Sequence, residues 1–385
     1  MPEINNDINP NEKLVSAAPF FISPRLEKAF RTDELTQDVD WSLRNLRVPL
    51  LWSVTGGDGI NVAILDSGVK LDHPDIKDSI VCRKNFIEPE KSVSDEHGHG
   101  THVAGIVAAR NNNQGYVGVA PNCNLLIGKV LNSENLLGSP KELANAIHWA
   151  IDNKADIINL SLVIALDFES VHEAIVRAYE NNICVVAAAP AKGRNPQELA
   201  YPAQYDETIA VGSTGFGGNR SHFSGEGEKL DIVAPGENIW STWSRRYLYN
   251  ELSGTSQACA FVSGVVALML AKHRKYPTIS ETPIGCVEDV KQHLREISID
   301  SPHDLIRGFD PKYGWGLIQP DMLLDERLTS LNLQFPNDLS TEAQEKATTF
   351  INMVNEQYPG TTYLEGTLRN ERKEVLGVVV ISNLI

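Results

Sequence analysis

Short apolar runs separated by longer mixed segments set the rhythm of the first three hundred residues. Runs at 61–65, 124–130, 156–160, 183–188, 208–211 and 230–233 are rich in Val, Ile, Leu and Ala, as strands buried on both faces are. Helical patterns lie between them. The clearest covers 140–154, where Leu143, Ala146, Ile147, Ala150 and Ile151 mark one face at helical spacing. Another, 258–271, is apolar all round, with Phe261, Val262, Val265, Val266, Leu268, Met269 and Leu270, as a helix inside a domain is. This alternation predicts an α/β fold, a parallel sheet with helices on both faces. Such folds place their sites at the carboxyl ends of strands, which singles out Asp66 and the segment at 190–193.

The candidate chemistry sits at element boundaries. Residues 252–261 read Leu-Ser-Gly-Thr-Ser-Gln-Ala-Cys-Ala-Phe and place Ser256 at the mouth of the apolar helix, where backbone N–H groups stabilise negative charge. Asp66 ends the strand 61–65, and His99 lies in His-Gly-His-Gly-Thr-His-Val-Ala-Gly. Each has an ordinary reading alone: a strand-end turn residue, a helix cap or metal ligand, a helix cap. Together they supply the orienter, base and attacker of a charge-stabilised nucleophile.

With these segments in place, the chain resembles the subtilisin-like serine peptidases, the subtilases. The resemblance rests on Asp66-Ser67-Gly68, on His99-Gly100-Thr101-His102-Val103-Ala104-Gly105, and on Gly254-Thr255-Ser256 followed by Ala258, Val262 and Gly264. It extends over about 41–325, from Trp41-Ser42-Leu43 to Tyr313-Gly314-Trp315-Gly316-Leu317-Ile318. It implies a subtilisin-like fold and a serine endopeptidase, with Ser256 as nucleophile, His99 as general base and then acid, and Asp66 fixing the imidazole tautomer. Ser161, Leu162 and Val163, with Leu136 and Gly138, are the implied substrate-binding residues. His97 is expected in a loop and His102 packed beneath the site.

Departures from the family pattern cluster near the nucleophile. Where subtilases carry an oxyanion-binding asparagine the chain has Ala191, in Pro190-Ala191-Lys192-Gly193. Removing such a donor from a family member costs roughly two to three orders of magnitude in turnover. The backbone N–H of Ser256 remains, and Asn195 and Gln257 are candidate substitutes. Gln257 replaces the family's methionine, Ala260 its helix proline, and Val163-Ile164-Ala165 follows where glycines let a substrate lie close, which narrows the specificity pocket or the approach to it. The resemblance also implies a structural calcium held by Asp75, the Asn112 side chain and backbone carbonyls of Arg110, Gln114 and Tyr116. The plain alternative is a solvated Asn-rich turn. No catalytic cofactor is expected.

Composition adds a setting. The chain has 385 residues, with Lys+Arg 34 against Asp+Glu 50, a net charge of −16; this disfavours nucleic acid and anionic membranes as partners, while the resemblance implies a polypeptide substrate. Cys82, Cys123, Cys184, Cys259 and Cys286 are odd in number, with no Cys-x-x-Cys pair, and read as reduced thiols of a cytoplasmic protein. The N-terminus lacks the basic-then-apolar pattern of a secretory signal, and no stretch reads as a membrane span. Three parts are expected: an extension over 1–40, the peptidase domain over 41–325, and a small β-α-β-β appendage over 326–385, α+β in class. The extension is either a brief inhibitory arm, with Ala18-Pro19-Phe20-Phe21-Ile22 as an apolar plug, or a packed extension. The appendage, with strands at 331–335, 363–369 and 375–382 and a helix at 339–357, packs on the peptidase, covers its cleft or binds a regulatory protein. The expected function is restricted proteolysis; the alternatives are a catalytically weak peptide-binding or regulatory module, or a peptide-transferring variant.

Overall fold

The structure is a computed structural model that describes residues 15–17, 20–22, 37–190, 200–277, 283–300, 308–324, 363–369 and 375–382. In chain order the strands are β1 (Val15–Ala17), β2 (Phe20–Ile22), β3 (Asn61–Asp66), β4 (Ile80–Asn85), β5 (Asn124–Lys129), β6 (Leu137–Gly138), β7 (Ile157–Leu160), β8 (Leu162–Ile164), β9 (Cys184–Ala188), β10 (Thr208–Thr214), β11 (Ile232–Pro235), β12 (Ile239–Thr242), β13 (Tyr249–Gly254), β14 (Ser298–Ile299), β15 (Leu317–Ile318), β16 (Tyr363–Arg369) and β17 (Val375–Ser382). The helices are α1 (Trp41–Asn45), α2 (Val48–Leu51), α3 (His99–Ala108), α4 (Pro140–Asp152), α5 (Glu169–Glu180), α6 (Thr255–Lys275) and α7 (Val287–Glu296).

Nine strands form one sheet in the order β14-β15-β11-β10-β9-β7-β3-β5-β4, parallel throughout except where β14 meets β15. The chain leaves β3 for β4 and β5 on one side and crosses to β7 on the other. The order therefore reverses at β3, the position where open α/β sheets form a crevice beyond the strand ends. Asp66 is the last residue of β3.

The alternation of a strand divides the core in two. Val62 and Ile64 pack in a cluster with residues of α3 and α6; Ala63 and Leu65 pack in another with α4 and α5. Helix α4 buries Leu143, Ala146, Ile147, Ala150 and Ile151, the stripe expected from spacing, and starts at a capping box of Ser139 and Glu142, which satisfies two otherwise orphaned N–H groups. Helix α6 runs unbroken through Ala260, where a proline would have kinked it. It corrects one expectation: α6 is long and apolar enough to cross a membrane, but 89% of its apolar window is buried inside the domain.

Two smaller sheets border the crevice, in the orders β6-β1-β8 and β12-β13-β2. A separate antiparallel hairpin, β16 with β17, matches the two last strands expected of the appendage. The expected strand at 331–335 and helix at 339–357 lie outside the described residues.

Candidate active site

The carboxylate comes first. Asp66, His99 and Ser256 are fully buried, and His99 Nδ1 lies 2.8 Å from Asp66 Oδ1 and 3.0 Å from Oδ2. The acceptor carboxylate requires the proton on Nδ1, which leaves Nε2 as the basic nitrogen. Helix α3 is crowded against the strand end to achieve this: a Cβ on Gly100 would meet Gly68 O at 2.3 Å and Asp66 Oδ1 at 3.1 Å, so the residue after the base must be glycine.

Asp95, which sequence reasoning missed, builds the start of that helix. Its Oδ1 accepts from the His97 and Gly98 N–H groups and from Ser67 Oγ, and its Oδ2 accepts from the Thr101 N–H and hydroxyl. Ser67 Oγ in turn accepts from the Gly100 N–H. Burial pushes the Asp95 carboxyl above the usual range. The one available signal was a carboxylate four positions before the base.

Ser256 sits in the first turn of α6. Its Oγ donates to the Ser161 carbonyl at 3.3 Å, and Ser161 Oγ donates to the Ser256 carbonyl at 3.0 Å. Asn159 supports the pair, donating to Ser161 Oγ and accepting from Ser263 Oγ and Cys259 Sγ. Burial pushes the Cys259 thiol up to about 12, so it is a packed core thiol and not a reactive one. Gln257, fully buried, points its amide nitrogen at His102 Nδ1, 3.5 Å away. His102 Nε2 lies 3.1 Å from the carbonyls of Ile239 and Asn250, and burial holds the ring neutral, with its pKa lowered to about 3. As expected, His102 is a packed helix residue and His97 a loop residue. The Gln257 amide is thus engaged away from the nucleophile, and Ala191 and Asn195 lie outside the described residues.

The implied substrate residues border one slot, and the slot holds part of this chain. Strand β1 pairs antiparallel with β8, Ser16 opposite Val163 and Ala17 opposite Leu162, and with β6, Val15 opposite Gly138. A Cβ on Gly138 would meet Val130 O at 2.1 Å, so only glycine lets β6 approach there. Leu136, just before β6, is buried with φ 55. Strand β2 then pairs with β13, Phe20 opposite Gly254 and Phe21 opposite Ser253, directly before the nucleophile. Strand β1 is thus paired to the strand that begins just after Ser161, and β2 to the strand that ends just before the nucleophile's helix.

Away from the crevice, Asp75 is buried and accepts from Tyr249 OH at 2.8 Å and from Asn112 Nδ2 at 3.3 Å. Burial pushes its carboxyl up to about 6. Asn112 Oδ1 accepts from the Gln114 N–H, and the Arg110 carbonyl accepts from Gln37 Nε2 at 2.7 Å. Sequence reasoning did not single out Gln37: its Oε1 also accepts from the Asn113 N–H, bringing a second side-chain amide to the loop. Tyr116 stacks on Trp240 and tilts against Tyr249.

The subtilase family model matches residues 57–316. The chain is 42% identical over 249 residues to the major intracellular serine protease of Bacillus subtilis (strain 168), an alignment spanning 62% of this chain and 78% of that protein. It is 38% identical over 249 residues to an intracellular serine protease of Paenibacillus polymyxa, spanning 63% and 76%. It also resembles the minor extracellular protease Epr of Bacillus subtilis (strain 168), at 33% over 289 residues, spanning 75% of this chain and 42% of Epr.

Proposed function

Because the chain belongs to the subtilase family of serine-type endopeptidases, we propose that it cleaves a restricted set of extended polypeptides through Ser256, His99 and Asp66 and that its own residues 15–22 restrain it. The observation that supports the restraint is the β6-β1-β8 sheet: a chain segment lies between β6 and β8, and β8 begins directly after Ser161, whose carbonyl accepts from Ser256 Oγ.

The chemistry follows from the atoms. As the substrate carbonyl settles against Ser256, His99 Nε2 takes the Oγ proton while Oγ attacks carbon. Asp66, bonded to Nδ1–H, holds the ring and stabilises the imidazolium. The proton then passes to the departing amine, the C–N bond breaks, and an acyl-enzyme remains. Water repeats the sequence in reverse, giving a free carboxylate and serine. The developing oxyanion is met by the Ser256 N–H at the start of α6, where the helix dipole adds to it. With alanine at 191 this hole is thin, so slow turnover belongs to the proposal.

The family often binds calcium, and we assign a structural calcium to the Asp75 loop. A buried carboxylate beside two side-chain amides and the carbonyls of Arg110, Gln114 and Tyr116 is an oxygen set suited to a hard cation. Turning the Asn112 and Gln37 amides would present oxygen in place of nitrogen. The cytosol as working compartment follows the names of two relatives; a regulatory protein would engage the β16–β17 hairpin.

The test is fluorophosphonate labelling. Wild type should be modified at Ser256, Ser256→Ala should not, and His99→Ala should label far more slowly. A folded wild type that stays unlabelled from pH 6 to 9, even with the arm weakened, would favour the peptide-binding alternative. An amine-captured product would favour transfer.

A further inference from the structure

We propose that Val163 closes the pocket for the residue on the acyl side of the cleaved bond, so that this enzyme cuts after small residues (Gly, Ala, Ser) and rejects large apolar and aromatic ones. The inference rests on the proteolytic reading above and names its substrate class.

The register in the crevice identifies the position. Strand β1 runs antiparallel to β8 with Ser16 opposite Val163 and Ala17 opposite Leu162. A peptide held in the same register places its next residue opposite Ser161, whose carbonyl lies 3.3 Å from Ser256 Oγ. That residue offers its carbonyl to the nucleophile. Directly opposed residues of an antiparallel pair share a face, and neighbours along a strand alternate. The acyl residue's side chain therefore falls on the face of Ser161 and Val163.

The two faces of β8 differ in what lies behind them. Leu162 and Ile164 are fully buried in the cluster that includes α4 and α5. Val163 is turned the other way and packs against the cluster that contains Ala187, Ala188 and Ala189 at the end of β9. Strands β8 and β9 touch, so a pocket for the acyl residue on this face lies toward β9, and the Val163 isopropyl group projects from the same face. The family pattern continues here into glycines that let a substrate lie close, and a valine in their place narrows that approach. The three carbons of the Val163 side chain equal the difference between an alanine and a leucine side chain, so the wall takes the volume that a leucine would need. The adjoining segment also begins with Pro190, not glycine. Forcing extra methylenes into a filled site is as unfavourable as leaving a void, and discrimination of about 10- to 200-fold is what one methylene-scale mismatch yields.

The experiment uses the full chain carrying Ser16→Pro to weaken the arm, and a series of peptides identical except for Gly, Ala, Ser, Leu, Phe or Lys at the acyl position. The expected kcat/KM for Ala exceeds that for Leu and Phe by about 100-fold or more. Val163→Gly should raise the Leu-to-Ala and Phe-to-Ala ratios by about 10- to 100-fold, with Val163→Ala between. Circular dichroism melting checks that each variant folds, and if Val163→Gly does not, Val163→Ala decides. A wild-type preference for Leu or Phe, or ratios unchanged in the variant, would overturn the assignment. A protein that cleaves no peptide while Ser256 still labels with a small fluorophosphonate would overturn it too; absence of labelling strikes the proteolytic reading instead.

Discussion

Replacing Ser16 by proline should release the restraint. Ser16 lies opposite Leu137 on one side and Val163 on the other, the middle of a central strand. Proline there removes a ladder N–H and sets its ring against a neighbouring strand. One lost hydrogen bond accounts for about 1 kcal/mol, and the steric misfit brings the total to about 3 kcal/mol, the usual penalty for proline inside regular structure. At 1.4 kcal/mol per decade, this raises the open population by about two orders of magnitude. The assay is the second-order rate of Ser256 labelling by a fluorophosphonate, followed by mass spectrometry. We expect about a 100-fold faster rate in Ser16→Pro, reversed when a peptide of residues 15–22 is added in excess. Equal rates in the two folded proteins would refute the view that β1 obstructs the nucleophile.

Other outcomes follow from the site. Chelation should lower the melting temperature, since an ion that binds only the folded state stabilises it by mass action; Asp75→Asn should melt at the chelated value with or without calcium, and Gln37→Ala should lose part of the effect. His102, with its pKa lowered to about 3 by burial, is neutral in the fold but titrates near 6.5 when unfolded. The unfolded state then binds the extra proton, so stability is full above about pH 6.5 and falls as pH drops toward 3, by up to about 5 kcal/mol; urea melts at stepped pH read this directly. Ser256 labelling should survive peroxide, because Gln257 offers no thioether, whereas Gln257→Met should become sensitive. Ala191→Asn should raise turnover about 10- to 1000-fold with little change in KM; a fall would mean that another group already fills the hole.

What was legible in the sequence is what local pattern encodes. Strand β3 and helix α4 announce themselves because one is apolar on both faces and the other on one stripe. The catalytic residues stand out because each ends or begins such an element. Strand β4 was missed, since at the sheet edge exposed Val81, Arg83 and Lys84 break up half-buried Ile80 and Cys82. Gln37 and Asp95 act through partners at long range or through backbone N–H groups, and neither leaves a periodic trace. The pairing of β1 was illegible for a related reason: three residues carry no period, and their place is set by the unpaired edges of β6 and β8.

A strand that borrows the substrate's own seat behaves as a tethered competitor. It subtracts one fixed quantity from the affinity of every incoming peptide, so it changes no preference among them and raises the threshold for all. Folded proteins, with no extended stretch to lend on both sides of a bond, would add the cost of their own local unfolding to that threshold. Unfolded chains cross it only when they are abundant or long enough to displace both β1 and β2 at once, which makes the load of denatured polypeptide the quantity to which such an enzyme responds.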